Sequence, residues 1–158
     1  MNLVKHFIGT LVKGAEKHSK TTTQYTPYGP GKSHKIIRPI QGKRRGIYFK
    51  SKMEANVYKF YTYLQKRYNS IVSVEYEPEI FFFNSNAFGI RAYIPDLKIT
   101  SSKGVRYIEV KGVVSDSTIK KDRLFSKDYS RLKLYYILPK QYLLIQKYYA
   151  KYIKDWEY

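Results

Sequence analysis

Two stretches decide the fold of this chain: YIPD at positions 93–96 and YIEVKG at positions 107–112. Both are typical of β-strands, and the turn-forming residues between Thr100 and Gly104 predict a hairpin that joins them. Side chains two residues apart lie on one face of a strand, so Glu109 and Lys111 share a face. If the strands pair around the turn, Asp96 meets both of them at one end of the sheet.

This arrangement predicts a metal site. Two neighbouring carboxylates repel each other unless a cation lies between them, and oxygen ligands suit Mg²⁺ or Mn²⁺. A lysine beside them can hold a water molecule or a phosphate oxygen. The alternative is structural: Asp96 closes a turn after Pro95, and Glu109 forms a solvated ion pair with Lys111.

The pattern Pro95-Asp96 followed by Glu109-Val110-Lys111 resembles the motif of the PD-(D/E)xK nuclease superfamily. The order of motifs, including Tyr76-Glu77 before the hairpin, is similar to that of phage endonuclease I-type junction-resolving enzymes. The resemblance implies an α/β fold with a restriction-endonuclease-like core, in which helices flank a mixed β-sheet. It also implies that Asp96, Glu109 and the Val110 carbonyl bind the metal, with Lys111 as a catalytic residue.

A helix is predicted to begin at Ser51, a favourable N-cap residue, with Glu54 three residues later in a capping box. An apolar stripe at helical spacing follows, formed by Met53, Val57, Phe60 and Leu64. Glu54 has two interpretations. It is either a helix cap or, as the superfamily resemblance implies, a fourth catalytic residue that completes the metal shell.

Further elements follow from periodicity and capping signals. A strand is expected over 72–78, a helix over 118–130 and a buried strand over 132–138. A last helix is expected to start at Pro139 and to carry an aromatic stripe that reaches Trp156. The lysine-rich helix either lines a phosphate track, through Lys120, Lys121 and Arg123, or presents a solvated basic face.

The composition favours a polyanionic partner. The formal net charge is +18, and both the first 46 residues and the remainder are strongly basic. We expect DNA rather than a membrane, since no apolar run is long enough to span one and no secretory signal is visible. The expected location is the cytoplasm, that of the host if the protein is phage-encoded. Cysteine is absent, which excludes disulfides and thiolate zinc sites.

The first 45 residues are predicted to be a basic N-terminal arm preceding a nuclease domain over 46–158. Residues 1–15 show a helical apolar pattern, which favours a short helix that packs on the domain or on a partner. The arm ends in Lys43, Arg44 and Arg45, which we expect to contact DNA together with Lys52; a solvated linker is equally compatible with this composition.

These inferences lead to one expected function: an Mg²⁺-dependent endonuclease, structure-selective for branched DNA or Holliday junctions and acting as a homodimer. A restriction, transposon-end or homing endonuclease of the same superfamily is the first alternative. A non-catalytic basic protein that binds nucleic acid is the second.

Overall fold

A computed structural model describes Val12–Lys13, Ile36–Ile37 and residues 46–158 apart from Asn86. The strands are β1 (Val12–Lys13), β2 (Ile36–Ile37), β3 (Tyr48–Phe49), β4 (Ile71–Tyr76), β5 (Phe81–Phe82), β6 (Ala92–Tyr93), β7 (Leu97–Ser101), β8 (Gly104–Val110) and β9 (Leu134–Ile137). The helices are α1 (Lys52–Arg67), α2 (Asp116–Asp128) and α3 (Pro139–Tyr149), with short 3-10 turns at Ala87–Gly89 and Ala150–Tyr152.

One mixed sheet forms the centre of the fold, with strand order β1-β9-β8-β7-β4. β7 and β8 form the predicted antiparallel hairpin, in which Leu97 pairs with Ile108. β8 and β9 are parallel and are joined by α2, as parallel neighbours require a crossover connection. The remaining pairings, of β4 with β7 and of β1 with β9, are antiparallel.

Helices cover both faces of this sheet. Alternate residues of β8 point to opposite faces, so Ile108 and Val110 pack in one cluster with α1 and α3. Tyr107 packs in the other, with α2 and the short β5–β6 pair. The protein is therefore mixed α/β with a mixed sheet between helices, as expected from the sequence.

The predicted elements from Ser51 onwards are largely confirmed. Ser51 caps α1 by accepting a hydrogen bond from the Glu54 amide, at 3.1 Å. The apolar stripe of α1 faces the core, where Val57, Phe60 and Leu64 are buried. None of the helices in the described part of the chain is long and apolar enough to cross a membrane.

Two expectations need correction. Val12 and Lys13 form a strand paired with Tyr136 and Tyr135, because a partner far along the chain offers backbone hydrogen bonds that override the local helical pattern. The other residues of the expected 1–15 helix lie outside the described residues. The last helix also ends at Tyr149, and Trp156 instead stacks on Tyr142 inside the protomer.

Candidate active site

The hairpin register places the two motif carboxylates beside each other. Continuing it by one residue from the pair Leu97–Ile108 sets Asp96 opposite Glu109. Asp96 is 6 % exposed and Glu109 is 4 % exposed. Buried carboxylates require compensation by hydrogen bonds or cations. The structure therefore brings together the residues that the sequence singled out, at the end of β7 and β8.

Asp96 is held by the backbone of the neighbouring strand. Its Oδ2 accepts a hydrogen bond of 2.7 Å from the Val110 amide. Burial and the nearby charges of Glu109 and Glu54 raise the pKa of Asp96 to about 8, against the smaller lowering effects of Lys111 and the Val110 amide. A second cation at this point would relieve the repulsion that causes this rise.

Glu109 has a partner on each oxygen. The Tyr93 hydroxyl donates to Oε2 at 2.6 Å, and the Lys111 ammonium lies 2.7 Å from Oε1. Burial lowers the pKa of Lys111, but Glu109, Asp96 and Glu54 together outweigh that effect and raise it above its usual value. Lys111 is therefore a cation at neutral pH. Its side chain is 34 % exposed, which leaves it accessible to a substrate.

The Val110 carbonyl is a further oxygen at this site. The Tyr107 amide donates to the Lys133 carbonyl and the Lys111 amide to the Ile137 carbonyl, both on the side of β9. Backbone groups of successive residues point to opposite sides of a strand, so those of Val110 face β7. The continued register sets Pro95 opposite Val110, and proline has no N–H to donate. The pairing of β7 with β8 therefore offers no backbone N–H to the Val110 carbonyl at this position. The Val110 side chain packs on the opposite face of the sheet, in the cluster with α1 and α3.

Glu54 reaches the same region from the N-terminus of α1. Its carboxylate accepts hydrogen bonds from the Lys50 amide, at 3.1 Å, and from the Tyr76 hydroxyl, at 2.8 Å. Glu54 is 8 % exposed and close enough to raise the pKa of Asp96. Its other oxygen accepts from the Ser51 hydroxyl at 3.0 Å, whereas the predicted capping box would use the Ser51 amide. Glu54 is thus a buried charge that also ties the first turn of α1 to Lys50 and Ser51.

The donor set suits a hard divalent cation, since it consists of carboxylate and carbonyl oxygens around an already repulsive pair. Within the described part of the chain, however, no three His, Cys, Asp or Glu side chains lie close enough together to hold one metal ion. Mg²⁺ usually keeps several waters and takes only one or two carboxylates directly. Asp96, Glu109 and the Val110 carbonyl fit that requirement, whereas Glu54 fits an outer position.

The predicted DNA-contacting residues fall into three groups. Lys120 and Arg123 are exposed on α2, with the exposed Lys127 one helical turn beyond Arg123, while Lys121 is half-buried on the flank of the helix. Lys52 is tied to the C-terminus, since its ammonium donates to the Tyr158 carbonyl at 2.8 Å. The last group lies outside the described residues and consists of Lys43, Arg44 and Arg45.

Sequence reasoning gave no role to three residues near the carboxylates. Tyr93 fixes one oxygen of Glu109, although it lies sixteen residues away in the chain. Lys50 pairs with Glu77, a non-glycine residue with a positive φ of 43° whose amide donates to the Asp96 carbonyl at 2.9 Å. The only local signal was Tyr76-Glu77, which the sequence placed at the end of a strand and in the order of motifs that precedes the hairpin.

Residues 40–143 match a protein family described as "Protein of unknown function (DUF1064)", and the chain belongs to that family. The match includes the whole candidate site, from Glu54 to Lys111. Neither a curated protein nor a solved structure matches the chain significantly.

Proposed function

We propose that this member of the DUF1064 family is a metal-dependent endonuclease that hydrolyses phosphodiester bonds in branched DNA, built on a restriction-endonuclease-like core. One observation carries the proposal: Asp96 and Glu109 lie buried on opposing strands, with Lys111 on the same face as Glu109. A formal net charge of +18 supports a nucleic-acid substrate.

Asp96, Glu109 and the Val110 carbonyl would hold Mg²⁺ or Mn²⁺. When bound, the ion would neutralise phosphate oxygens and lower the pKa of the attacking water. The carboxylates are pre-oriented by the protein, through the Val110 amide on Asp96 and the Tyr93 hydroxyl on Glu109. Such orientation before the substrate arrives lowers the reorganisation needed during the reaction.

Lys111 has a different task from the carboxylates. Its raised pKa keeps it protonated, so it acts as a hydrogen-bond donor and a positive charge rather than as a base. An ammonium beside the carboxylates can orient the attacking water and offset the charge that develops on the phosphate. Glu54 would not bind the metal directly. It would act through a bridging water molecule or through the effect of its charge on Asp96.

The test is cleavage of a panel of linear, nicked and four-way DNAs by the purified protein in Mg²⁺. We expect cleavage of the branched substrates, none in excess chelator, and none by Asp96→Asn, Glu109→Gln or Lys111→Ala. Asp116→Asn is the matched control, because it removes an exposed carboxylate, in the first turn of α2. Undiminished cleavage in chelator would contradict the metal mechanism.

A non-catalytic nucleic-acid-binding protein is the second candidate. The observation that favours it is the ion pair between Lys111 and Glu109, which neutralises the carboxylate without a metal. DNA binding by the wild-type protein without cleavage of any substrate, in Mg²⁺ and in Mn²⁺, would favour this candidate. Full activity on unbranched duplex alone would instead favour a restriction-type enzyme.

A further inference from the structure

The β5–β6 hairpin carries an exposed phenylalanine at its tip. Phe88 lies in the 3-10 turn Ala87–Gly89 between the two strands, and 56 % of its surface is exposed. At the base of the same hairpin, Tyr93 donates its hydroxyl to Glu109. The tip is therefore joined through a short piece of chain to the candidate active site.

The backbone of Phe88 is strained. Its φ of 63° and ψ of 14° place it in the left-handed region, which glycine adopts freely and which costs free energy for a residue with a Cβ. The exposed ring gains little burial to offset this cost. Backbone strain that is not offset by packing of the side chain is a feature of functional sites.

The hairpin is fixed to α2 rather than free. The Asn84 amide donates to Asp128 at 2.8 Å, and the Tyr129 hydroxyl donates to the Phe82 carbonyl at 2.6 Å. The Lys120 ammonium lies 5.4 Å from the centroid of the Phe88 ring. The ring is thus presented from an anchored turn, next to the exposed basic stripe of α2.

We propose that Phe88 is a wedge that inserts between neighbouring bases of DNA bound along α2, while Lys120 contacts the phosphate beside the opened step. Apolar side chains inserted in this way unstack the bases and kink the duplex. The cost of unstacking is lowest where stacking is already interrupted, at a nick, a mismatch or a branch. Phe88 would therefore be a specificity-determining residue for branched DNA, an inference that rests on the proposed function.

The position of the wedge follows from the length of the chain. Phe88 and Tyr93 are five positions apart in the chain, so their Cα atoms are at most about 18 Å apart. Successive nucleotides of one strand are separated by about 3.4 Å along the axis. The lengths of the Phe88 and Tyr93 side chains add to this distance, so the opened step is expected within about one helical turn of the phosphate that is cut.

The experiment measures base unstacking without cleavage. A fluorescent adenine analogue, 2-aminopurine, is placed at the branch of a four-way DNA, and the protein is added in excess chelator. We expect the wild-type protein to raise the fluorescence, and Phe88→Ala and Phe88→Gly to abolish the rise. Phe82→Ala is the matched control, because Phe82 is a second phenylalanine of the same hairpin and is 66 % exposed.

Phe88→Gly separates function from folding. It relieves the backbone strain, so its melting temperature should equal or exceed that of the wild type even though the unstacking is lost. Both Phe88 variants should lose about 5- to 150-fold of the preference for branched over linear DNA, the range that corresponds to one base–aromatic stack.

The two proposals fail in different ways. Binding of branched DNA by the wild type with no rise in fluorescence, or an unchanged rise with Phe88→Gly, would overturn the wedge and leave the nuclease proposal intact. Absence of any DNA binding by the wild type would overturn both. Loss of the signal in Phe82→Ala as well as Phe88→Ala would show a general effect of the hairpin and overturn the specific role of Phe88.

Discussion

At the scale of a single residue, the surroundings of Asp96 both raise and lower the pKa of its carboxyl group, and the raising effects are larger. Burial, Glu109 and Glu54 raise its pKa to about 8, from an ordinary value of 3.8. Between these two values the folded protein binds more protons than the unfolded chain does. The free energy of unfolding contributed by Asp96 therefore falls as the pH rises from about 4 to about 8.

Asp96→Asn should remove this pH dependence. The amide cannot ionise, and its oxygen can still accept the hydrogen bond from Val110. In chelator we expect the variant to be more stable than the wild type at pH 8, by a few kcal/mol, and similar to it near pH 4. Urea unfolding at both pH values measures the difference. If the free energy of unfolding changes with pH in the same way for the wild type and Asp96→Asn, the repulsion at Asp96 is contradicted. Asp116→Asn is the control, and its stability should depend on pH as that of the wild type does.

Tyr93 acts on the site through Glu109, as a positioning residue. Tyr93→Phe keeps the buried ring and removes only the hydroxyl that holds Oε2. We expect about 10- to 100-fold weaker Mg²⁺ binding or cleavage, the usual effect of losing a residue that orients a ligand. The measurement is the Mg²⁺ concentration for half-maximal cleavage.

The matched control is Tyr129→Phe, which removes a hydroxyl bonded at the same distance of 2.6 Å to a backbone carbonyl of the hairpin. It should leave the Mg²⁺ dependence unchanged. Equal effects of the two substitutions would indicate that Tyr93 is only structural.

At the scale of elements, the N-terminus of α1 combines the Ser51 cap with a carboxylate, that of Glu54, which we propose to act in cleavage. Ser51→Ala removes the hydroxyl that accepts from the Glu54 amide and donates to the Glu54 carboxylate at 3.0 Å, so stability should fall by about 1 kcal/mol. Glu54→Gln retains an acceptor for the Lys50 amide and removes the charge. We expect a lower cleavage rate with little loss of stability. A Glu54→Gln protein that cleaves at full rate but melts earlier would leave Glu54 as a cap alone.

Elements with a local signal were predictable from the sequence. The α1 cap at Ser51 and the β7–β8 hairpin depend on residues close together in the chain, and the structure has both. The hairpin also brought Asp96 and Glu109 together as expected, because register and face follow from a period of two. The catalytic roles of these residues stay predictions.

The remaining features depend on long-range contacts. Val12 pairs with Tyr136, and nothing in the local pattern around Val12 indicates a partner so distant. The Tyr93–Glu109 bond depends on how the two-residue strands β5 and β6 lie over the sheet. The left-handed Phe88 contradicts local propensity, which assigns such a conformation to glycine.

At the scale of the whole molecule, the proposed substrate, branched DNA, predicts an oligomeric state. One site cuts one strand, so paired cuts across a junction require two coordinated sites, most simply in a two-fold dimer. The sequence offers two possible interfaces, the apolar segment around Phe7 and Leu11 and the aromatic C-terminal segment with Tyr148, Tyr152 and Trp156, and the number of rings favours the second. Trp156 is buried within the protomer, which leaves Tyr148 and Tyr152 as the exposed rings of that segment.

We expect light scattering at micromolar concentration to give the mass of a dimer. Changing both Tyr148 and Tyr152 to Glu should give a monomer, since carboxylates would replace the ring surface that the interface would bury. Tyr158→Glu is the control, because Tyr158 is 74 % exposed at the chain end. A wild-type protein that stays monomeric on a junction and produces only unpaired nicks would contradict the dimer.

The first 45 residues are expected to contribute to both DNA binding and folding. They carry ten Lys or Arg and one acidic residue, so deleting them lowers the formal net charge from +18 to +9. DNA affinity should fall and depend less steeply on salt, because fewer counterions are released. The deletion also removes β1, whose pairing covers the edge of β9, and β2, which pairs with β3.

Two sets of substitutions in the full-length chain separate these contributions. Changing Lys43, Arg44 and Arg45 to Gln removes charge alone, and should weaken DNA binding with no change in the urea midpoint. Val12→Pro removes an N–H from β1 without changing charge, and should lower stability by about 1 kcal/mol for each hydrogen bond lost while the salt dependence of binding is kept. If Val12→Pro leaves the unfolding midpoint unaltered, β1 contributes nothing to the fold, and the segment acts through its charge alone.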